Sequence, residues 1–322
     1  MSHSTSQSHA VPPIKMGLAI PNSKLCMWLF LGTEIMFFTA FIGTYIVLRM
    51  GSKGWPTDPA VTHIKVILGG TNTFVLIWSS YLVVVAHEAM GNKNFEKARR
   101  ALKWTFLFAC IFLGIKAFEY AGKISHDILP GHIAENDQQA KAKVLRESET
   151  AVTSRLQRLA AMAVSSKAAE KLPEPKDDAT KLKALLAEAG LKAAGKEGDE
   201  FRGFGEMFKQ FDLLKQGILR EDLSLDDVKG QLAGLKSNEQ WGYVFKSVHE
   251  PHPILYGNIF ASCYFLMTGF HALHVLIGMY LFWILLKQAS LEGWHDFLEN
   301  SGLYWHFVDL VWIFLFPLLY IV

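Results

Sequence analysis

Five stretches of this sequence are long, apolar and almost free of charge: residues 25–49, 64–90, 99–124, 254–287 and 302–322. Each is long enough to cross about 30 Å of hydrocarbon as a helix. Lipid offers backbone N–H and C=O groups no partners, and a helix satisfies them within one segment. The expected fold class is therefore all-α, an integral membrane bundle of five transmembrane helices. Hydrophobic residues make up 51% of the 322, but the charge is concentrated elsewhere. Residues 131–250 hold 19 of the 32 Lys/Arg and 20 of the 30 Asp/Glu. That stretch reads as a soluble helical insert between the third and fourth spans. The chain thus divides into an N-terminal tail (1–24), transmembrane helices 1–3 (25–124), the insert (125–253) and transmembrane helices 4–5 (254–322). No basic block of one sign stands out, so nucleic acid is not an expected partner.

Lys and Arg in short loops set orientation. The link "GNKNFEKARR" carries Lys93, Lys97, Arg99 and Arg100, and the tail adds Lys15 and Lys24. The link between the first two spans has only Lys53, with Arg49 and Lys65 at its edges. This places the N-terminus on the cytoplasmic side and the insert and C-terminus on the outer side. The tail lacks a short apolar core followed by a small-residue cleavage site, so it is expected not to be a cleaved signal peptide. Cys26, Cys110 and Cys263 all fall in spans without CxxC spacing and read as small buried residues.

Within the insert, residues 136–171 contain no Gly or Pro and predict a helix. "LPEPK" breaks it. "DDATKLKALLAEAG" predicts a second helix, and Ser224 with Asp227 predicts a capping box before a third. The insert is either a solvated appendage or a docking surface for a partner.

An ionisable side chain in the membrane costs roughly 2.5–3.5 kcal/mol and therefore faces the bundle, pairs or serves a pathway. Glu34 sits about ten residues into the first span, as a cross-helix structural carboxyl or as part of a proton-related site. Lys116 and Glu119 read as an ion pair at i, i+3. His87 and Glu88 close the second span at the inner interface, where polar tips are cheap. His271 and His274 lie on one face of the fourth span, and Gly269 and Gly278 permit close helix approach there. Two imidazoles can bind a metal or haem when other helices supply further ligands, but the expected role is interhelical hydrogen bonding or contact with a lipid head group. His306 and Asp309 are expected to pair with each other and pack inward. With no nucleophile beside them and no HExxH or phosphate loop in the chain, no catalytic residue and no metal site are assigned.

Taken in order, "WLFLGTEIMFFTAF", "VVVAHEAM", "KAFEYAGK", "YGNIFASCYFLMTGFHALHVLIGMYLF" and "YWHFVDLVWIFLF" resemble subunit III of the haem–copper cytochrome c oxidases across all five spans. The resemblance implies a non-catalytic subunit of a proton-pumping terminal oxidase that reduces oxygen to water. Haem and copper would sit in partner subunits I and II, and this chain would bind none. It implies that Glu34 is the family's buried carboxyl supporting proton uptake. His87, Glu119, His271, His274, His306 and Asp309 would form a structural polar network. Lys287 stands where the family has a phospholipid-contacting arginine, and Tyr304 and Trp305 join it in the implied lipid-binding set. Further implied partners are membrane lipid and, at the insert, an extra subunit or electron donor. The implied location is a bacterial inner membrane. The chain departs from the seven-helix form of the family, since it lacks two helices and carries the long insert. The accessory protein of nitric oxide reductase is the alternative within the family. A proton-coupled transporter would show broken helices or an inverted repeat, and the sequence has neither.

Overall fold

A computed structural model describes residues 21–58, 62, 64–165 and 196–321. The tail through residue 20, the "LPEPK" break and the expected helix 177–190 lie outside the described residues. Among the described residues every regular element is helical. In chain order these are α1 (Asn22–Gly51), α2 (Val66–Gly91), α3 (Phe95–Ser125), α4 (Asp137–Ser165), α5 (Lys196–Leu219), α6 (Leu225–Ser237), a 3-10 turn (Gly242–Ser247), α7 (Gly257–Lys287) and α8 (His295–Tyr320). Helices α1, α2, α3, α7 and α8 are long and apolar enough to cross a membrane, and the insert lies between α3 and α7. The last helix starts earlier than its apolar run at 302. Residues 295–301 are polar in composition but helical, with Leu298 and Ser301 turned inward.

Short links have local causes. Asn94 N–H bonds the Ala89 carbonyl at 2.8 Å and ends α2, with Lys93 in the left-handed region at φ 56°. The Asn94 side chain then accepts from Lys97 N–H at 3.1 Å and caps α3. Ser224 accepts from Asp227 N–H, while the Asp227 carboxylate accepts from Ser224 N–H, so the expected capping box closes α6.

The described residues fall into two compact units. The first takes those within 1–44, 68–114 and 267–318. Its packing is densest around Trp305, fully buried, whose Nε1–H donates to Ser79 Oγ at 3.0 Å. A Cβ on Gly278 would stand 2.5 Å from the Trp305 ring, so only glycine permits this approach of α7 to α8. Trp312 Nε1–H donates to Thr73 at 3.1 Å and repeats the α2–α8 link two helical turns later.

The second unit takes residues 45–67, 115–266 and 319–322. Val144, Val152 and Leu156 of α4 meet Phe204, Met207, Phe211, Leu214 and Ile218 of α5 and Val228, Leu232 and Leu235 of α6. Spacings of three, four and eight put each set on one helix face, and Phe245 and Trp241 complete this core. Asn258 in the first turn of α7 ties down the start of the insert. Its Oδ1 accepts from Gly131 and Ile133 N–H, and its Nδ2 donates to the Ile133 carbonyl at 2.8 Å.

Candidate functional site

Ionisable groups inside the apolar helices form three arrangements. In the first unit, Glu34 of α1 lies with Oε2 3.1 Å from Nε2 of His274 on α7. His274 Nδ1 is 2.8 Å from the Phe270 carbonyl of its own helix. A carbonyl only accepts, so Nδ1 carries a hydrogen. The contact at Nε2 then requires one more proton, on the imidazole or on the carboxyl. Phe38 meets the His274 ring edge-on at 5.2 Å, and Tyr304 stacks over it and donates to its backbone carbonyl at 3.2 Å. The Glu34 side chain keeps 22% exposure against 9% for His274, so the pair is open on the α1 side. Both His274 nitrogens are engaged, which fits hydrogen bonding and leaves no lone pair for a haem iron. His271 Nε2 bonds the Val308 carbonyl at 3.0 Å.

In the same unit His306 and Asp309 do not pair as expected. His306 Nδ1 is 2.5 Å from Ser80 Oγ on α2, and the same Ser80 side chain is the group that acts on the buried Asp309 carboxyl. An i, i+3 spacing made them neighbours on α8, but each meets Ser80 and not the other. The residues expected beside lipid also divide. Lys287 is exposed, its ammonium 4.2 Å above the Trp283 ring. Tyr304 and Trp305 are enclosed by protein. His87, at the end of α2, has its ring 4.9 Å from that of His295 at the start of α8.

The second unit holds the arrangement with the most bonds. The expected Lys116–Glu119 pair forms at 3.0 Å and is almost fully buried. Two tyrosines that the sequence did not single out complete it. Tyr264 of α7 and Tyr320 of α8 each donate to Glu119 Oε1 at 2.7 Å. Lys116 Nζ donates to Tyr264 at 3.1 Å and to Tyr320 at 2.7 Å. Lys123, also buried, donates to the Thr62 carbonyl at 2.9 Å and sits 4.4 Å above the Tyr264 ring. One carboxylate thus answers two ammonium groups, and the ring face supplies part of the remaining compensation. Tyr264 and Tyr320 stand 145 and 201 residues from Glu119, and no local spacing signals them.

These features define a class: an all-helical membrane protein of five spans, knitted by buried carboxylates and imidazoles and extended by a helical insert. Residues 249–322 match the model of the family described as cytochrome c oxidase subunit III. The chain is 40% identical over 106 residues to cytochrome c oxidase subunit 3 of Thermostichus vulcanus, covering 30% of this chain and 53% of that one. It is 46% identical over 69 residues to that of a Synechocystis strain, covering 20% and 30%. It is 47% identical over 66 residues to that of Rhipicephalus sanguineus, covering 19% and 26%. The chain spans about half the length, or less, of these relatives. The likeness to cytochrome c oxidase subunit III is carried by residues 249–322.

Proposed function

We propose that this chain is the non-catalytic subunit III of a proton-pumping haem–copper terminal oxidase. It stabilises subunit I, holds membrane lipid at Lys287 and supports proton uptake through Glu34. Haem and copper belong to subunits I and II. The complex lies in a bacterial inner membrane, with the N-terminus cytoplasmic and the insert and C-terminus outside. The insert docks a further subunit or the electron donor. Tyr304, Trp305, His271, His306 and Asp309 hold helices together in this reading.

The observation that carries it is the Glu34–His274 contact. It joins a carboxyl to an imidazole across two helices and involves α1, the span with the least cover: 6% of its most apolar stretch is buried, against 56% for α8. An apolar helix so bare in isolation supports a partner subunit or lipid against it. The test is Glu34→Ala in the assembled complex. Lower turnover or a shorter active lifetime is expected, with subunit composition unchanged. Unaltered turnover and lifetime would reduce Glu34 to a packing residue. Deleting residues 131–250 is expected to release an outer-face partner. If composition and electron-donor kinetics survive the deletion, the docking role is lost.

A further inference from the structure

Two clusters among the described residues bring three metal-ligating side chains together, and they differ in how fully their atoms are used. Asp127, Glu147 and His249 form the first. His249 Nδ1 lies 3.1 Å from Glu147, and its Nε2 lies 3.2 Å from the Ser125 carbonyl. Glu147 also accepts from His249 N–H at 2.7 Å, and Lys143 sits 2.6 Å from Asp127. This network is closed: both His249 ring nitrogens and both carboxylates already have partners.

His87, His295 and Glu299 form the second, with one ligand atom of each within 4.8 Å of the others. Here the imidazoles are not spoken for. His87 Nε2 is buried without a hydrogen-bond partner. His295 Nδ1 has Asp296 at 3.7 Å, beyond hydrogen-bond length. A buried ring nitrogen without a partner is rare enough in proteins to call for an explanation. His295 and Glu299 are four residues apart in the first turns of α8, so both face one side. His87 reaches them from the end of α2.

We propose that His87, His295 and Glu299 bind a divalent transition-metal ion of the zinc type. Two imidazoles and one carboxylate suit Zn²⁺ and its neighbours rather than Ca²⁺, Mg²⁺ or Cu(I). Zinc bonds of about 2.0–2.2 Å set ligand atoms roughly 3.3 Å apart. Side-chain adjustments of about 1 Å bring the three to that spacing. Three protein ligands leave a position for water. One cation competes for the site: Lys24 of α1 lies 2.6 Å from Glu299. Its side chain is partly exposed and can turn to solvent when the ion arrives. Bound metal would clamp the end of α2 to the start of α8. This inference does not depend on the oxidase reading.

The test uses the full chain in detergent, carrying no polyhistidine tag and stripped of metal. Zn²⁺ is titrated against a chromogenic chelator, and Co²⁺ serves as a visible-absorption probe. One site is expected. His87→Ala, His295→Ala and Glu299→Gln should each weaken Zn²⁺ binding by at least ~10-fold and abolish the cobalt band, while His249→Ala leaves both unchanged. Lys24→Ala alters no ligand and should tighten binding several-fold by freeing Glu299. Absence of a site, affinity unmoved by all three ligand substitutions, or loss in His249→Ala would each overturn the proposal. Unchanged or weaker binding in Lys24→Ala would remove Glu299 from the ligand set.

Discussion

Glu119 and Asp309 are buried to the same degree, with 5% and 4% of their surface exposed, yet their surroundings are opposite. Glu119 accepts from an ammonium and two phenols, and the ammonium also donates to both phenol oxygens. Asp309 has no ammonium or phenol against it, and the side chain named beside it is the Ser80 hydroxyl of α2. The price of desolvation is common to both, but only Glu119 recovers it through partners drawn from α3, α7 and α8. Burial alone therefore does not say what a carboxyl is for. A satisfied network resists removal of any one member, whereas a group with few partners can be exchanged with little loss.

This contrast can be broken most forcefully at Glu119. Glu119→Leu leaves Lys116 and Lys123 buried with no carboxylate and should destabilise by roughly 3–5 kcal/mol, read as a lower unfolding midpoint or failure to accumulate. A loss no larger than that of an ordinary surface change would show that the network is not what holds α3, α7 and α8. Next comes packing without charge. Gly278→Ala pushes a methyl into the Trp305 ring and should cost about 1–3 kcal/mol by overpacking, with a changed Trp fluorescence as its signature. Ser224→Ala removes the α6 cap and should cost about 1 kcal/mol.

The same cap predicts a pH response. Hydrogen bonds from the Ser224 side chain, and then from its backbone N–H, hold the Asp227 carboxyl below the usual carboxylate range. Its contribution is thus complete above the ordinary Asp pKa and is lost as pH falls through the lowered folded value. Hydrogen exchange in the first turn of α6 should rise over that acid window in the native chain and rise less in Ser224→Ala, which keeps the backbone N–H bond to Asp227. The smallest effect belongs to Asp309→Asn, which keeps the shape and an oxygen for Ser80 and should shift stability by less than about 1 kcal/mol. A large loss there would show that the charge on the carboxyl matters to the bundle.

The spans were legible because twenty-odd apolar residues admit few other structures. The capping box was legible because Ser224 and Asp227 act within one turn. The Lys116–Glu119 pair was legible for the same reason, but its tyrosines were not. A Tyr in an apolar span looks like any other aromatic residue until tertiary contact brings it to a carboxylate. The His306–Asp309 pairing failed at the opposite point. Sequence spacing put both on one stretch of α8, but Ser80 of α2 offered His306 a partner that no local pattern announces. The His87 cluster was hidden because its members come from helices more than two hundred residues apart in sequence.

Tyr320 gives the Glu119 network a dependence on time. Ribosomal synthesis delivers Lys116 and Glu119 first, Tyr264 much later, and Tyr320 last of the four. Until α8 enters, Glu119 lacks the phenol that spans both its oxygens at 2.7 and 2.8 Å. The ion pair is therefore made before its hydrogen bonds are complete, and α8 supplies the last of them.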